Sequence, residues 1–493
     1  MKKVNKIFAA LLVLVPVFSC TKDLVVKPTS IITTASFWTT EDDATGMLNG
    51  MYVNLRDASE GLFMIGEQRS EIYQNGPIGP SSLTLFQNVL TPEIPSHPDW
   101  TGFYTTINSA NLILKYVPGI TFKSEESKNS ILAQAHAMRA FINFVMIKTW
   151  GDVIIRTDPI ESSNADVTQK ERSPKEEVFK LVKEDIEEAI KLFPNNNLPN
   201  GRSMWSMAAV NALKADVYLW TGKMLNGGQA DFNIALEACN AVQQADVELL
   251  PNFADLFQYA NKGSKEIVLS IRFQDLDGTS IVNYFWFMWM HSSDVPANTD
   301  QASRDLIFPT GDGQDRMVIT DLVRNQFTDD DTRKNGSFHE IFTYDDLGNP
   351  TFYTTLCMKG SGLVDGGTRR FISDIILYRY ADILLMKAEA ENALAQDPSA
   401  EINLVRQRAY TTNYAQHVFV NGTVEENDAA ILKERLLELL YEGKRWWDLV
   451  RFNKVFDIVP NLQNRRGDDY LLLFPIANTV LSLEIKVKQN PGY

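Results

Sequence analysis

Cysteine is scarce in this chain, with Cys20, Cys239 and Cys357 the only three among 493 residues. So few thiols exclude a disulfide-built scaffold, and a chain of this length buries a core that needs no such staples. Histidine is nearly as rare. His97, His136, His291, His339 and His417 are scattered without the spacing of zinc ligands. His339-Glu340 opens like a zinc-protease motif, yet Thr343 stands where the second histidine belongs. Positive charge is in deficit, since 47 Lys and Arg against 62 Asp and Glu leave a net charge of −15. An acidic surface repels phosphate backbones, so nucleic acid is not expected as a partner. No nucleophile elbow, Walker loop or Cys-x-x-Cys pair occurs, and Gly311-Asp312-Gly313 lacks the third glycine of a dinucleotide fingerprint at Arg316. With so many carboxylates, chance Asp/Glu pairs are guaranteed; a glycosidase is unsupported rather than excluded. Asp329-Asp330-Asp331 and the Asp312/Asp315 pair miss the spacing of a calcium loop and read as solvated acidic loops. Neither a metal nor a cofactor is expected.

Long apolar runs are lacking too. Residues 7–18 are apolar behind Lys2, Lys3 and Lys6, but such a run is too short for a membrane span of roughly 20 residues. It reads instead as the core of a signal segment. Val17-Phe18-Ser19-Cys20 resembles a bacterial lipobox, which implies cleavage before Cys20 and acylation of its thiol. Several acyl chains at ~0.8 kcal/mol per buried CH2 give a stable anchor without a transmembrane helix. A simple secreted protein is the alternative. Loss of residues 1–19, with three lysines and no acids, takes the net charge to −18. Membrane contact is then expected through the lipid alone. Cys239 and Cys357 could form one disulfide or remain two buried thiols.

After a tether at 20–36, helix follows helix. Glu41-Asp42-Asp43 precede the apolar positions Met47, Leu48, Met51 and Leu55, with acids at the helix start. Further helical segments are read at 108–116, 131–148, 173–193, 203–220, 232–242, 374–394 and 428–452. Small residues at helical spacing (Ala208, Ala209, Ala212, Ala215; Ala381, Ala388) allow the close backbone approach of stacked helical hairpins. Tetratricopeptide (TPR) repeats stack in this way, and irregular spacing makes these repeats degenerate. A plain helical bundle is the alternative. In the last segment Leu432, Leu436, Leu439, Leu440, Gly443, Trp447 and Val450 keep one helical stripe. Arg435/Glu438, Glu442/Arg445 and Asp448/Arg451 flank it three apart, and read as a solvated or interhelical scaffold. The stretch 246–370 differs: Gly, Pro, Asn and Asp interrupt it, and short β-like runs occur at 266–273 and 351–358. It is read as an irregular insertion on the helical body, the kind of region where binding residues sit.

In order along the chain stand ASFWTTEDDATGMLNGMY, WTGFYTTINSANLIL, AHAMRAFINFVMIKTWGDV, SPKEEVFKLVKEDIEEAI and AAVNALKADVYLWTGK. LYRYADILLMKAEAENAL, VRQRAY, ERLLELLYEGKRWWDLVRF and LLLFPIANTVLSLEIKVKQNPGY follow. The ordered set resembles the SusD/RagB family of outer-membrane nutrient-binding lipoproteins. The resemblance implies a mainly α fold, with degenerate TPR-like hairpins supporting a loop-rich ligand-binding region and a few short strands. An N-terminal helical region would span 37–245. A C-terminal region of 246–493 would hold the insertion and closing helices at 374–455. It also implies a non-catalytic protein on the outer face of the outer membrane, partnered with a SusC-like TonB-dependent transporter and binding an oligosaccharide. A peptide-binding member is an alternative, as are a secreted hydrolase and a pure TPR scaffold. Surface export in the family is associated with acidic residues after the cysteine, and only Lys22-Asp23 stands here.

Sugar capture needs flat apolar rings facing pyranose C–H groups, beside polar groups for the hydroxyls. The densest aromatic run is 284–290. If extended, it sets Tyr284 and Trp286 on one face and Phe285, Phe287 and Trp289 on the other, as either a buried strand or a partly exposed platform. Asp294 follows at its polar edge. A second group, Arg69, Glu71 and Tyr73, looks like an early family loop bordering the ligand, with a salt-bridged turn as the alternative. Trp100 is the third candidate, because an aromatic here can reach ligand in the family; helix-start packing is its alternative.

Overall fold

Thr40 opens the first helix with a capping box. Its hydroxyl accepts from the Asp43 N–H at 3.2 Å, and the Asp43 carboxylate accepts from the Thr40 N–H at 2.7 Å. Helix α1 (Glu41–Asp57) then buries Ala44, Leu48, Met51 and Leu55 as one stripe. The computed structural model describes residues 37–78, 85–93, 99–274, 283–308 and 313–493. The expected signal segment, Cys20, the tether, His97, Gly311 and Asp312 lie outside the described residues. Residues 40–493 form one unit; of the other, 1–39, the described part holds Phe37 and Trp38, edge to edge at 5.0 Å.

The longer helices continue as α2 (Ser59–Glu67), α3 (Thr101–Tyr116), α4 (Glu125–Trp150), α5 (Lys175–Leu192) and α6 (Met207–Met224). After them come α7 (Gly228–Gln243), α8 (Tyr380–Ala393), α9 (Ser399–Tyr410) and α10 (Val424–Leu439). They pack serially: α1 on α3, then α3 on α4, α4 on α5, α5 on α6, α6 on α7, α7 on α8, and α8 on both α9 and α10. Each helix buries its stripe against its neighbours, as stacked hairpins do. The predicted small residues stand at these contacts, with Ala209, Ala212, Ala215, Ala381 and Ala388 fully buried. Helix α4 is long and apolar enough to cross a membrane, but 83% of that window is buried inside the fold.

Among the described residues the strands form two-stranded antiparallel sheets. β1 (Tyr73–Asn75) pairs with β3 (Met317–Ile319), and β2 (Ile267–Ile271) with β8 (Ile375–Arg379). β4 (Phe338–Tyr344) pairs with β5 (Pro350–Cys357), and β6 (Leu363–Asp365) with β7 (Thr368–Arg370). The fold class is therefore the one the sequence predicts: mainly helical, with small sheets in a loop-rich region. Cys239 and Cys357 are buried free thiols, and burial pushes both well above the usual thiol range. A thiol reagent is expected to reach neither until the protein is denatured; labelling of either in the folded protein would contradict this packing.

Three predictions need correction. The helix expected from 374 starts at Tyr380, because Ile375–Arg379 joins β2 as a strand and its β-branched residues suit that pairing. The single helix expected over 428–452 is broken. Helix α10 ends at Leu439, a short helix runs Arg445–Arg451, and between them Tyr441 and Gly443 adopt left-handed φ of 70° and 69°. The break lets α2 approach. A Cβ on Gly66 would lie 2.1 Å from the Gly443 carbonyl oxygen and 2.9 Å from Trp447 Nε1. Gly66→Ala is expected to cost about 1–3 kcal/mol by overpacking two backbones, read as a lower urea midpoint. An unchanged midpoint would refute that contact.

The third correction concerns charge. Asp448 and Arg451 do meet, at 3.0 Å. The other two pairs turn to distant partners: Arg435 to Asp382 (2.8 Å), Glu438 to Arg379 (2.6 Å), Glu442 to Lys359 (2.6 Å) and Arg445 to Glu71 (2.6 Å). These groups follow the interhelical of the two readings and are buried; what the spacing misplaces is their partners. Asp331 and Asp315 are buried as well, and Asp331 pairs with Arg333 at 2.7 Å.

Candidate functional site

Most of the residues singled out from the sequence face inward. Arg69, 0% exposed, lies 4.0 Å from the Trp446 ring centroid and 5.0 Å from that of Phe474, and donates to Asn88 Oδ1 at 3.0 Å and to the Leu471 carbonyl. Burial lowers its guanidinium to about 10. Glu71 accepts from Arg445 Nη2 at 2.6 Å, and the Tyr73 hydroxyl donates to Glu67 at 2.6 Å. These side chains tie the segment after α2 to the helix Arg445–Arg451; none borders solvent. Trp100, 4% exposed, packs edge-on against Tyr104 and Trp150.

The aromatic run is not extended. Tyr284–Met288 forms a 3-10 turn, opened by the Asn283 side chain, which accepts from the Phe285 N–H at 3.2 Å. A three-residue turn replaces the expected two-face alternation. Tyr284 stacks on Phe63 with centroids 3.8 Å apart and planes 9° off parallel. Phe285, Phe287 and Met288 are buried, and Trp286 is left half-exposed. Trp289 is interior: its indole N–H donates to the Cys357 carbonyl at 2.7 Å, and the Arg369 guanidinium lies 4.1 Å from its ring centroid. Buried side chains so engaged are walls of the fold. Trp286 and the exposed Asp294 are the predicted residues that reach solvent.

What stands beside Trp286 comes from elsewhere in the sequence. The segment 314–316 laces onto the turn, with Gln314 N–H donating to the Trp286 carbonyl (3.0 Å), Asp315 to Trp289 (2.7 Å) and Arg316 to Phe287 (2.8 Å). Asp315 holds a left-handed φ of 42°, unusual for a residue with a side chain. Its carboxyl is fully buried, and the Thr354 hydroxyl donates to Oδ1 at 2.9 Å. Asp315 Oδ2 and Gln314 Oε1 have no hydrogen-bond partner among the described residues. Burial pushes the Asp315 carboxyl up to about 7, and the charge of Asp294 pushes the same way. Burial also raises the Tyr353 phenol, with Asp315 and Asp294 adding to it, so these three groups share one electrostatic neighbourhood. At the edge, His291 Nδ1 and Ser293 Oγ are 2.7 Å apart, and Ser293 Oγ donates to Asp294 at 3.1 Å.

The arrangement is a half-exposed indole on a turn that the segment 314–316 pairs with, the two acceptors without donors lying beneath the surface. The ring face and the exposed Asp294 carboxylate together suit a ligand rich in hydroxyl groups. Among the described residues no three His, Cys, Asp or Glu side chains gather as a metal site. Gln314 and Tyr353 escaped the sequence reading, and Asp315 entered it only as a calcium candidate. Their sole signal is position, since they converge through backbone pairing and the β5 strand across up to 70 residues.

Two family models match: the SusD family over residues 245–493, and "Starch-binding associating with outer membrane" over residues 36–219. The chain is 31% identical to the SusD-like protein P38 of Formosa agariphila, over 100% of both chains. Among solved structures, NanU of B. fragilis superposes with a TM-score of 0.82 at 34% identity, covering 95% of this chain and 100% of that one. A laminarin-binding SusD-like protein shares the fold, with a TM-score of 0.71 at 21% identity over 92% of this chain and 100% of that one.

Proposed function

The chain belongs to the SusD family, and from that premise we propose a non-catalytic binding protein of the outer membrane that captures an oligosaccharide and delivers it to a TonB-dependent transporter. The half-exposed Trp286 ring meets the C–H face of a sugar. Asp294, Gln314 and Tyr353 exchange hydrogen bonds with its hydroxyls, and the buried Asp315 fixes the segment that carries Gln314. Tyr284, Trp289, Arg69, Glu71, Tyr73 and Trp100 hold the walls from behind. Acyl chains on Cys20 anchor the protein, facing the cell exterior.

The observation that carries this reading is the half-exposed Trp286 ring on a turn followed by the exposed Asp294 carboxylate, which shares one electrostatic neighbourhood with the partly exposed Tyr353. The laminarin-binding structure of the same fold supports a glycan over a peptide. Affinity electrophoresis against plant, host and microbial polysaccharides tests it. One glycan is expected to retard the protein, and Trp286→Ala to weaken that retardation by roughly tenfold in affinity, ~1.4 kcal/mol. Retention by peptides alone, or glycan turnover that disappears in Asp294→Asn or Asp315→Asn, would overturn the proposal.

A further inference from the structure

A cleft of about 420 Å3 opens between the C-terminal end of α4, the approach to α5 and the C-terminal tail. That volume falls within the roughly 300–1,000 Å3 typical of small-ligand sites. It shares no residue with the Trp286 site.

Its lining is basic in an acidic protein. Arg172, Lys175, Lys486 and Lys488 face Asp152 and Glu171, whereas the chain as a whole carries −15. Arg172 is locked in place by neutral acceptors. It donates to the carbonyls of Asp152 (2.7 Å), Lys488 (2.8 Å) and Trp150 (3.0 Å), and to the side-chain oxygen of Asn490. No carboxylate lies within ion-pair distance of it among the described residues, and the Asp152 carboxylate offsets its charge only at longer range. Asp152, the nearer acid, accepts from the Lys175 backbone N–H at 2.9 Å. The side chains of Lys175, Lys486 and Lys488 are exposed, and their ammonium groups have no ion pair among the described residues. The buried guanidiniums of Arg333, Arg379 and Arg408, by contrast, are neutralised by carboxylates at 2.6 to 3.1 Å.

We propose that this cleft binds an anionic oligosaccharide, its carboxylate or sulfate groups set among Arg172, Lys175, Lys486 and Lys488. Recognition is by field rather than by a guanidinium fork, because the fork of Arg172 is already engaged with the walls. Low-dielectric walls focus that field into the concavity, and the three mobile ammonium groups settle on the anion.

The test is a titration of the purified protein with an oligogalacturonate, with a sulfated galactan oligosaccharide and with a neutral oligosaccharide of equal length. Vesicles of phosphatidylglycerol serve as the lipid arm. At least one anionic sugar is expected to bind and the neutral one to bind at least tenfold more weakly, with binding weakened by added salt. Lys486→Glu with Lys488→Glu is expected to reduce anion affinity roughly tenfold, and Trp286→Ala to leave it unchanged. Both lysines are exposed, so the double variant should keep the wild-type unfolding midpoint; Lys175→Glu provides an independent check. Failure of both anionic sugars, indifference to charge reversal, loss through Trp286→Ala, or preference for vesicles over both sugars would each overturn the proposal. Loss of neutral-glycan capture in Trp286→Ala concerns the other site alone.

Discussion

Glu438→Gln is expected to lower the free energy of unfolding by about 3–5 kcal/mol, read as a shift in the urea midpoint. The Glu438 carboxylate is 0% exposed and sits among three guanidiniums: Arg379 at 2.6 Å, Arg333 at 3.3 Å, and Arg408. Around them Glu266 holds Arg379 (2.8 Å) and Arg408 (3.1 Å), Glu434 holds Arg333 (2.6 Å), and Glu442 holds Lys359 (2.6 Å). The cluster joins β2, β8, α9 and α10, so it fixes how the closing helices meet the insertion. Such a network need not outweigh a hydrophobic core of equal volume, but removing one member leaves buried cations uncompensated. A midpoint equal to that of wild type would show that the network does not bear on stability.

The same groups set the acid limb. Burial alone would raise the Glu438 carboxyl, yet Arg408 and Arg379 hold it well below the usual range. Glu389 is likewise buried and is brought down to about 2 by Arg451 and Lys223. A carboxylate with a depressed native pKa contributes stability that is complete above its unfolded value, 4.5 here, and lost as pH falls through the native value. Stability should therefore drop steeply from about pH 4.5 downwards, less so in Glu438→Gln.

Glu67→Gln is expected to cost about 2–4 kcal/mol, for a different reason. Glu67 Oε1 accepts from the Tyr73 hydroxyl (2.6 Å) and the Tyr441 N–H (3.0 Å). Its Oε2 accepts from the N–H groups of Gly443 (2.6 Å) and Lys444 (3.4 Å). An amide puts an NH2 group where two donors already point, leaving backbone N–H groups of the break unmatched. The pH dependence runs opposite to that of Glu438. Burial pushes the Glu67 carboxyl up to about 7, against the pull of its donors. Between 4.5 and 7 the native state binds a proton that the unfolded state releases, so this group's contribution declines as pH rises through that window. Denaturation at about pH 5 and about pH 8 should show a larger decline in wild type than in Glu67→Gln, where the raised Asp315 carboxyl still contributes. Parallel pH dependence in both proteins would contradict the assignment.

Much of the helical body was legible because amphipathic stripes and small-residue spacing report burial directly, as in α1, α4 and α6. The break at 440–444 was not. Leu439, Leu440, Trp447 and Val450 are buried on both sides of it, so the apolar pattern runs on while the backbone does not. Charge pairs three apart mislead for a related reason: sequence spacing places neighbours on a helix, whereas Glu438 and Arg445 find partners 59 and 374 positions away. In the binding region, an aromatic run with apolar residues at every position carries no period that separates a strand from a 3-10 turn. Trp286 was legible as a candidate. Gln314, Asp315 and Tyr353 depend on which loops pair, information that no local pattern holds.

The most direct measurement is an equilibrium titration of the retained glycan into wild-type protein and into Trp286→Ala, with both unfolding midpoints recorded. Single-site binding in wild type, weakened at least roughly tenfold in a Trp286→Ala protein of unchanged stability, is the result this account requires. Equal affinity in the two proteins would place the ligand away from Trp286 and contradict it.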